Sequence, residues 1–215
     1  MLRRLTIACF ALSAAGCASA VYDSLERRGV DAKSVLSDRV ADARDDANAA
    51  AAKIETAGNA LGETRGLEGA PLARQIDSAR AAAQDAAVAA QNVRLASETV
   101  GAAGGRYFRE REEEIGLYET TAERSAAAAR LNADREGHRR LGGALGAASL
   151  RLSPALTLLT DEIAVLRKNP TSGVVVSSRA GRIDTASNAA VEAAGALRSA
   201  AGEADSFLAA LSANR

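Results

Sequence analysis

From Leu36 the apolar residues of this chain recur at spacings that alternate four and three: Leu36, Val40, Ala43, Ala47, Ala50, Ile54, Ala57, Leu61. A mean period of 3.5 residues marks a helix that supercoils against a partner. It does not fit strands, whose side chains repeat every two residues. The alternation resumes at Leu72, Ile76, Ala79, Ala83, Ala86, Ala90, Val93, Ser97 and Val100. It returns as Val176, Ala180, Ile183, Ser187, Ala190, Ala194, Leu197, Ala201, Ala204, Leu208 and Leu211. The fold class expected is therefore all-α: long antiparallel helices with heptad seams, in an elongated coiled-coil bundle of about four helices over residues 31–215. Alanine is about a quarter of the residues, aromatics are 3 % and tryptophan is absent. Alanine is the best helix former and lets helix axes come close, whereas a wide core draws on aromatic side chains. Thin, close-packed seams follow.

Helix boundaries follow from the breaks in this pattern. Asp31 is placed to cap the first long helix, and Asp31 to Leu61 makes a rod of about 45 Å. Gly62 to Gly69 interrupts the seam, and Pro71 stands where a helix readily begins. Two rods of similar length on a short Gly-rich loop fold back as a hairpin. Gly101 to Gly105 reads as a second turn, so a third helix is expected from Arg106, with Arg109 to Glu114 as its wet first turns. Its seam loses phase between Arg130 and Arg140 and recovers at Leu141, Leu145, Ala148 and Leu152. Gly142, Gly143 and Gly146 each cost about 1 kcal/mol relative to alanine, which favours a bend there. Ser153-Pro154 reads either as a cap and first helical residue or as a kink in a longer helix. Asn169-Pro170 reads as the start of the last helix. Val174-Val175-Val176 has strand propensity, but the heptad phase from Val176 favours helix.

The N-terminus carries a different signal. Arg3 and Arg4 precede a short apolar run from Leu5 to Ala15, which ends in Leu12-Ser13-Ala14-Ala15-Gly16-Cys17. The run is too short for a permanent membrane span and reads as a lipoprotein signal peptide, residues 1–16. Cys17 is then the lipid attachment residue, and residues 17–30 form the anchor and a short tether helix, Val21 to Arg28. The rival reading is a soluble signal peptide cut after Ala18-Ser19-Ala20. Cys9 leaves with the signal under either reading, so no disulfide is expected.

Two stretches carry a resemblance. One is Tyr22-Asp-Ser-Leu-Glu-Arg-Arg-Gly-Val30 running into Val35-Leu-Ser-Asp-Arg-Val-Ala-Asp-Ala-Arg44. The other is Leu152-Ser-Pro-Ala-Leu156, then Leu166-Arg-Lys-Asn169, ending in Glu203-Ala-Asp-Ser-Phe207. Together they resemble bacterial lipoproteins of the domain of unknown function 2959 family. The resemblance implies a lipoprotein of long helices and implies no activity.

Chemistry-bearing motifs are sparse. The chain has one histidine, His138, on the face of Leu131, Leu141 and Leu145, and it reads as a partly buried seam residue or a surface one. No G-x-S-x-G, S-x-x-K, H-E-x-x-H or P-loop run occurs. No catalytic residue, metal site or cofactor is expected. Formal net charge is 0, which gives no reason to expect nucleic acid. Asp38, Asp42, Asp45 and Asp46 form one dense acidic group, flanked by Arg39 and Arg44. With Val40 on the seam, Asp38, Asp42 and Asp45 fall on the outer face. A solvated face with intrahelical ion pairs accounts for them, and a partner contact is the sharper alternative. Asp38, Arg39, Asp42 and Arg44, with Lys168 and Asn169 of the second familiar stretch, are the candidate interaction surface. The expected function is that of a lipid-anchored envelope protein at the outer membrane, facing the periplasm. Its role is structural or protein-interacting, through an envelope partner or self-association. The alternative is a periplasmic holdase or ligand carrier with a cleft between helices.

Overall fold

A computed structural model describes residues 31–213. The expected signal peptide, Cys17 and the expected tether helix lie outside the described residues. Asp31 caps the first helix as its sequence position requires: its carboxylate accepts from the Ser34 amide at 3.2 Å. That helix, α1, is Ala32–Gly62; α2 is Gly69–Gly116, α3 Thr121–Leu166, α4 the short Gly173–Ser178, and α5 Ala180–Ala213. The described residues contain no strand.

Side-chain pairs give the direction of each helix against its neighbour. Between α1 and α2, Lys53 reaches Asp85 and the Gln75 amide donates to the Ala60 carbonyl. Between α1 and α5, Arg44 reaches Asp205 and Arg65 reaches Asp184. Between α3 and α5, Arg140 reaches Glu203 and Arg179, just before α5, reaches Glu162. As one residue number rises the other falls, so all three pairs are antiparallel. Tyr107 with Asp134 and Val100 with His138 show the same for α2 and α3. Each long helix packs chiefly on two neighbours, in the ring α1–α2–α3–α5. The result is an up-down-up-down four-helix bundle, which short connections between successive helices favour.

The seams lie where their spacing puts them. All eight seam residues from Leu36 to Leu61 are buried. In α5 the heptad residues from Ile183 to Leu211 are buried, except Ser187 and Leu208, which are half-buried, and a second buried stripe joins them: Ala186, Ala193, Ala200 and Phe207. Two stripes are needed because α5 packs on both α1 and α3. In α2 the buried residues between Ala86 and Gly101 are Ala89, Val93, Ala96 and Val100, so the expected Ala90 and Ser97 sit only half-buried at the edge. Gly58 lets α1 and α5 come close. A Cβ there would lie 2.8 Å from that of Ala190, and the Ser187 hydroxyl donates to the Gly58 carbonyl at 2.9 Å.

Several expected boundaries are corrected. Gly101 to Gly105 is not a turn; α2 runs through it to Gly116. Gly104 is there for space: a Cβ on it would overlap the His138 ring at Nε2. Burial of Val100, Ala103 and Tyr107 outweighs the helix cost of the glycines. The third helix therefore starts at Thr121, not Arg106, and Arg109 to Glu114 lies in the last turns of α2. Its start signal is present in the sequence as a capping box, with Thr120 and Glu123 each bonding the other's backbone amide.

The seam of α3 does not lose phase either. Ala127, Leu131, Asp134, His138, Leu141, Leu145, Ala148, Leu152, Ala155, Leu159, Glu162 and Leu166 alternate four and three without a break. Three of those positions hold polar residues, which hides the pattern. The helix continues past Gly142, Gly143 and Gly146, all on the solvent side, and past Pro154, whose missing amide also faces solvent. Asn169-Pro170 lies in a turn rather than at a helix start. Ser172 caps α4 instead, accepting from the Val175 amide. Val176 is buried in that short helix, as its heptad phase requires. The turns at this end are tied together by the Gly69 amide donating to the Thr171 carbonyl at 3.0 Å. Gly66 and Gly69 take positive φ, which the tight α1–α2 turn demands.

Candidate interaction surface

The residues singled out in the sequence do not form one patch. Asp38, Asp42 and Asp45 are exposed on the outer face of α1, with Arg39 and Arg44 half-exposed on its flanks. Arg39 pairs with Asp42 at 3.0 Å on the α2 side. Arg44 turns the other way: it bonds Asp45 at 2.9 Å and reaches Asp205 of α5 at 3.3 Å. Those carboxylates raise the Arg44 pKa further above its usual range, Asp45 first and Asp205 next. Lys168 and Asn169 are exposed in the turn after α3, at the opposite end of the bundle.

Arg39 and Asp42 line an open groove between α1 and α2 of about 430 Å³, together with Asp45, Asp46, Asn92 and Leu95. Asp46, which sequence reasoning grouped with its neighbours but did not single out, faces this groove. Its pKa is raised, by partial burial first and by Asp42 and Asp45 next. A second groove, about 360 Å³, separates α2 from α3 and is lined by small and hydroxyl side chains with Gln91, Arg94, Leu152 and Leu156. Among the described residues no group of three His, Cys, Asp or Glu is placed to hold a metal ion. None of the described helices is long and apolar enough to cross a membrane.

The polar residues of the α3 seam are each satisfied. The Tyr107 hydroxyl donates to Asp134 Oδ2 at 2.7 Å, and both residues are buried. His138 is half-buried, as its seam position implies. Its Nε2 lies 3.2 Å from the Val100 carbonyl, and its ring meets Phe108 and Phe207 edge-on at centroid distances of 5.3 and 6.0 Å. Arg135 lies over the Phe108 ring at 5.6 Å, a cation–π contact. Glu162 is buried under Arg179, whose guanidinium forks onto both carboxylate oxygens; Nη2 to Oε2 is 2.8 Å. Arg179 is also the one residue between α4 and α5 that leaves the helix. These groups hold the bundle together, and none of them lines either of the two grooves. Counting the heptad through Asp134, His138 and Glu162 would have placed these three on the seam, but not their partners.

Burial, the Asp134 bond and the Asp134 charge push the Tyr107 phenol far above its ordinary value of about 10. The sign of the pH effect follows. Above about pH 10 the unfolded phenol releases its proton while the folded one keeps it, so folding stability falls as pH rises. The contribution is fully present below about pH 10 and is lost toward the folded value. We expect the urea midpoint of the native protein to fall more between about pH 8 and pH 11 than that of Tyr107→Phe. Equal slopes would mean that this phenol is not buried.

The fold and surface define a class: a four-helix bundle with satisfied polar seam positions and open surface grooves. The chain belongs to the family described as Protein of unknown function (DUF2959), whose match spans residues 21–211. No curated protein and no solved structure matches it.

Proposed function

We propose that this is a lipid-anchored cell-envelope protein, held at the periplasmic face of the outer membrane, with a structural or protein-interaction role and no catalysis. The observation that carries the reading is Leu12-Ser-Ala-Ala-Gly-Cys17 at the end of a short apolar run with a basic start. Ala18 and Ser19, which follow, carry no acidic residue that would hold an anchored protein at the inner membrane. The bundle supports the interaction role through its long rod form, with the acidic outer face of α1 and the α1–α2 groove offered to an envelope partner or a second copy.

Cys17→Ser is expected to abolish incorporation of a fatty-acid probe and to leave unprocessed or soluble protein. Equal label on native and variant chains would overturn the anchor. The holdase or carrier reading draws on the α2–α3 groove, where Leu152 and Leu156 offer some apolar surface. The groove is open to solvent, whereas carriers bury most of a ligand's surface in a concave pocket. Cross-linking in cells separates the two: one dominant partner supports the adaptor, many unfolded clients the holdase.

A further inference from the structure

The α2–α3 hairpin is longer than the rest of the bundle. Lys53 faces Asp85 and Ala60 faces Gln75, so Asp31 lies level with about residue 105 of α2. The electrostatic effect of Asp31 on Tyr107 agrees with that level. On the other side, Gly137 packs on Phe207, so α5 ends near residue 130 of α3. Beyond those levels the described chain continues as a two-helix finger. Its tip, Leu117, stands roughly 18 Å past Asp31.

The tip is apolar. Leu117 is 82 % exposed, Tyr118 beside it 38 %, and Ile115 is half-exposed. Among the described residues the other exposed large apolar side chains stand singly along the shafts or at the far end. The finger points from the end of the bundle where the chain enters at Asp31. Cys17 and the apolar run precede Asp31 in the sequence. Asp31 follows Cys17 by fourteen residues, a reach of up to about 48 Å, which spans the finger's length.

We propose that the finger tip is a lipid-surface contact, in which Leu117 and Ile115 enter the interface and the Tyr118 ring lies at headgroup level. This rests on the anchored reading only for the choice of membrane. Tyrosine suits such a boundary because its ring is apolar and its hydroxyl is wet. The collar behind the tip is acidic: between residues 109 and 124 there are six glutamates and three arginines. Arg111 pairs with Glu114 and Arg135 with Glu112, which leaves the collar with a net negative charge around Glu113, Glu119 and Glu123. The contact therefore favours a zwitterionic surface, and anionic lipid weakens it.

The chain has no tryptophan, so Leu117→Trp places a single reporter at the tip and Leu150→Trp a matched one on the shaft of α3. The chain from Cys17 onward is coupled through that thiol to a maleimide lipid in phosphatidylcholine–phosphatidylethanolamine vesicles. Coupling is chemical, so the result does not depend on whether Cys17 is lipidated in cells, and fatty-acid labelling tests that separately. Emission from the tip reporter should shift to shorter wavelength and be quenched by brominated acyl chains several-fold more than emission from the shaft reporter. Phosphatidylglycerol in the vesicles should reduce the difference. Equal quenching of the two reporters would overturn the proposal. So would a shift of the tip reporter that appears without vesicles and grows with protein concentration, which would assign the tip to a second copy of the chain.

Discussion

Leu197→Asp is expected to unfold most of the protein under conditions where Arg198→Asp leaves it folded. Leu197 is 0 % exposed on the seam of α5, the helix that packs on both α1 and α3. Truncating a buried leucine costs about 2–5 kcal/mol, and a carboxylate in its place adds an unpaired charge or an acid forced to keep its proton. A loss above about 4 kcal/mol is a large part of the roughly 5–15 kcal/mol that holds a typical domain. Arg198 is one residue away and exposed, and its guanidinium pairs with Glu55 of α1. Replacing it removes a surface pair and sets two carboxylates near each other, a change of about 1 kcal/mol or less. Thermal and urea midpoints followed by circular dichroism measure both. Similar midpoints for the two variants would mean that the seam runs through the other residue.

Phe207→Ala is expected to be nearly as damaging. The ring is 2 % exposed and lies against the α3 backbone at Gly137, where a Cβ would come within 2.8 Å of Phe207 Cδ2. It also supports the His138 ring, which in turn fills the space left by Gly104 of α2. One side chain of α5 therefore links α3 and, through His138, α2. Deleting a buried phenylalanine ring costs about 3–5 kcal/mol, and two helix backbones held by neighbouring seams cannot collapse into the void. For a domain of this size that corresponds to a fall of roughly 10 °C in the thermal midpoint. Gly137→Ala should lower the midpoint in the same direction by displacing the ring, although alanine is the better helix former. A rise in midpoint for Gly137→Ala would show that the ring does not rest on that backbone.

The second family-like stretch ends at Phe207, and the structure gives that end a physical role: Phe207 packs on the α3 backbone at Gly137, one turn before the last buried seam residue, Leu211. Glu203 of the same stretch reaches Arg140 of α3, and Asp205 reaches Arg44 of α1, one on each side of α5. Side-by-side residues on one helix thus tie two different neighbours, which neither short motif nor charge pattern declares.

The chain's own periodicity decided the helices, their seams and the antiparallel return at Gly62 to Gly69. Leu36 to Leu61 is buried residue for residue because alternating spacings of four and three put those side chains on one stripe whatever the partner. The N-terminal cap at Asp31 was equally local, since it needs only the carboxylate and an amide three residues on. Gly101 to Gly105 and the α3 seam were decided by tertiary contact. Glycine reads as a turn when its freedom is considered alone, but at Gly104 what matters is the volume of a histidine arriving from another helix. Asp134, His138 and Glu162 look like breaks in an apolar stripe until Tyr107, the Val100 carbonyl and Arg179 are brought to them from elsewhere in the chain. A polar side chain can occupy a seam only if a partner satisfies it, and the identity of that partner is a property of the folded bundle.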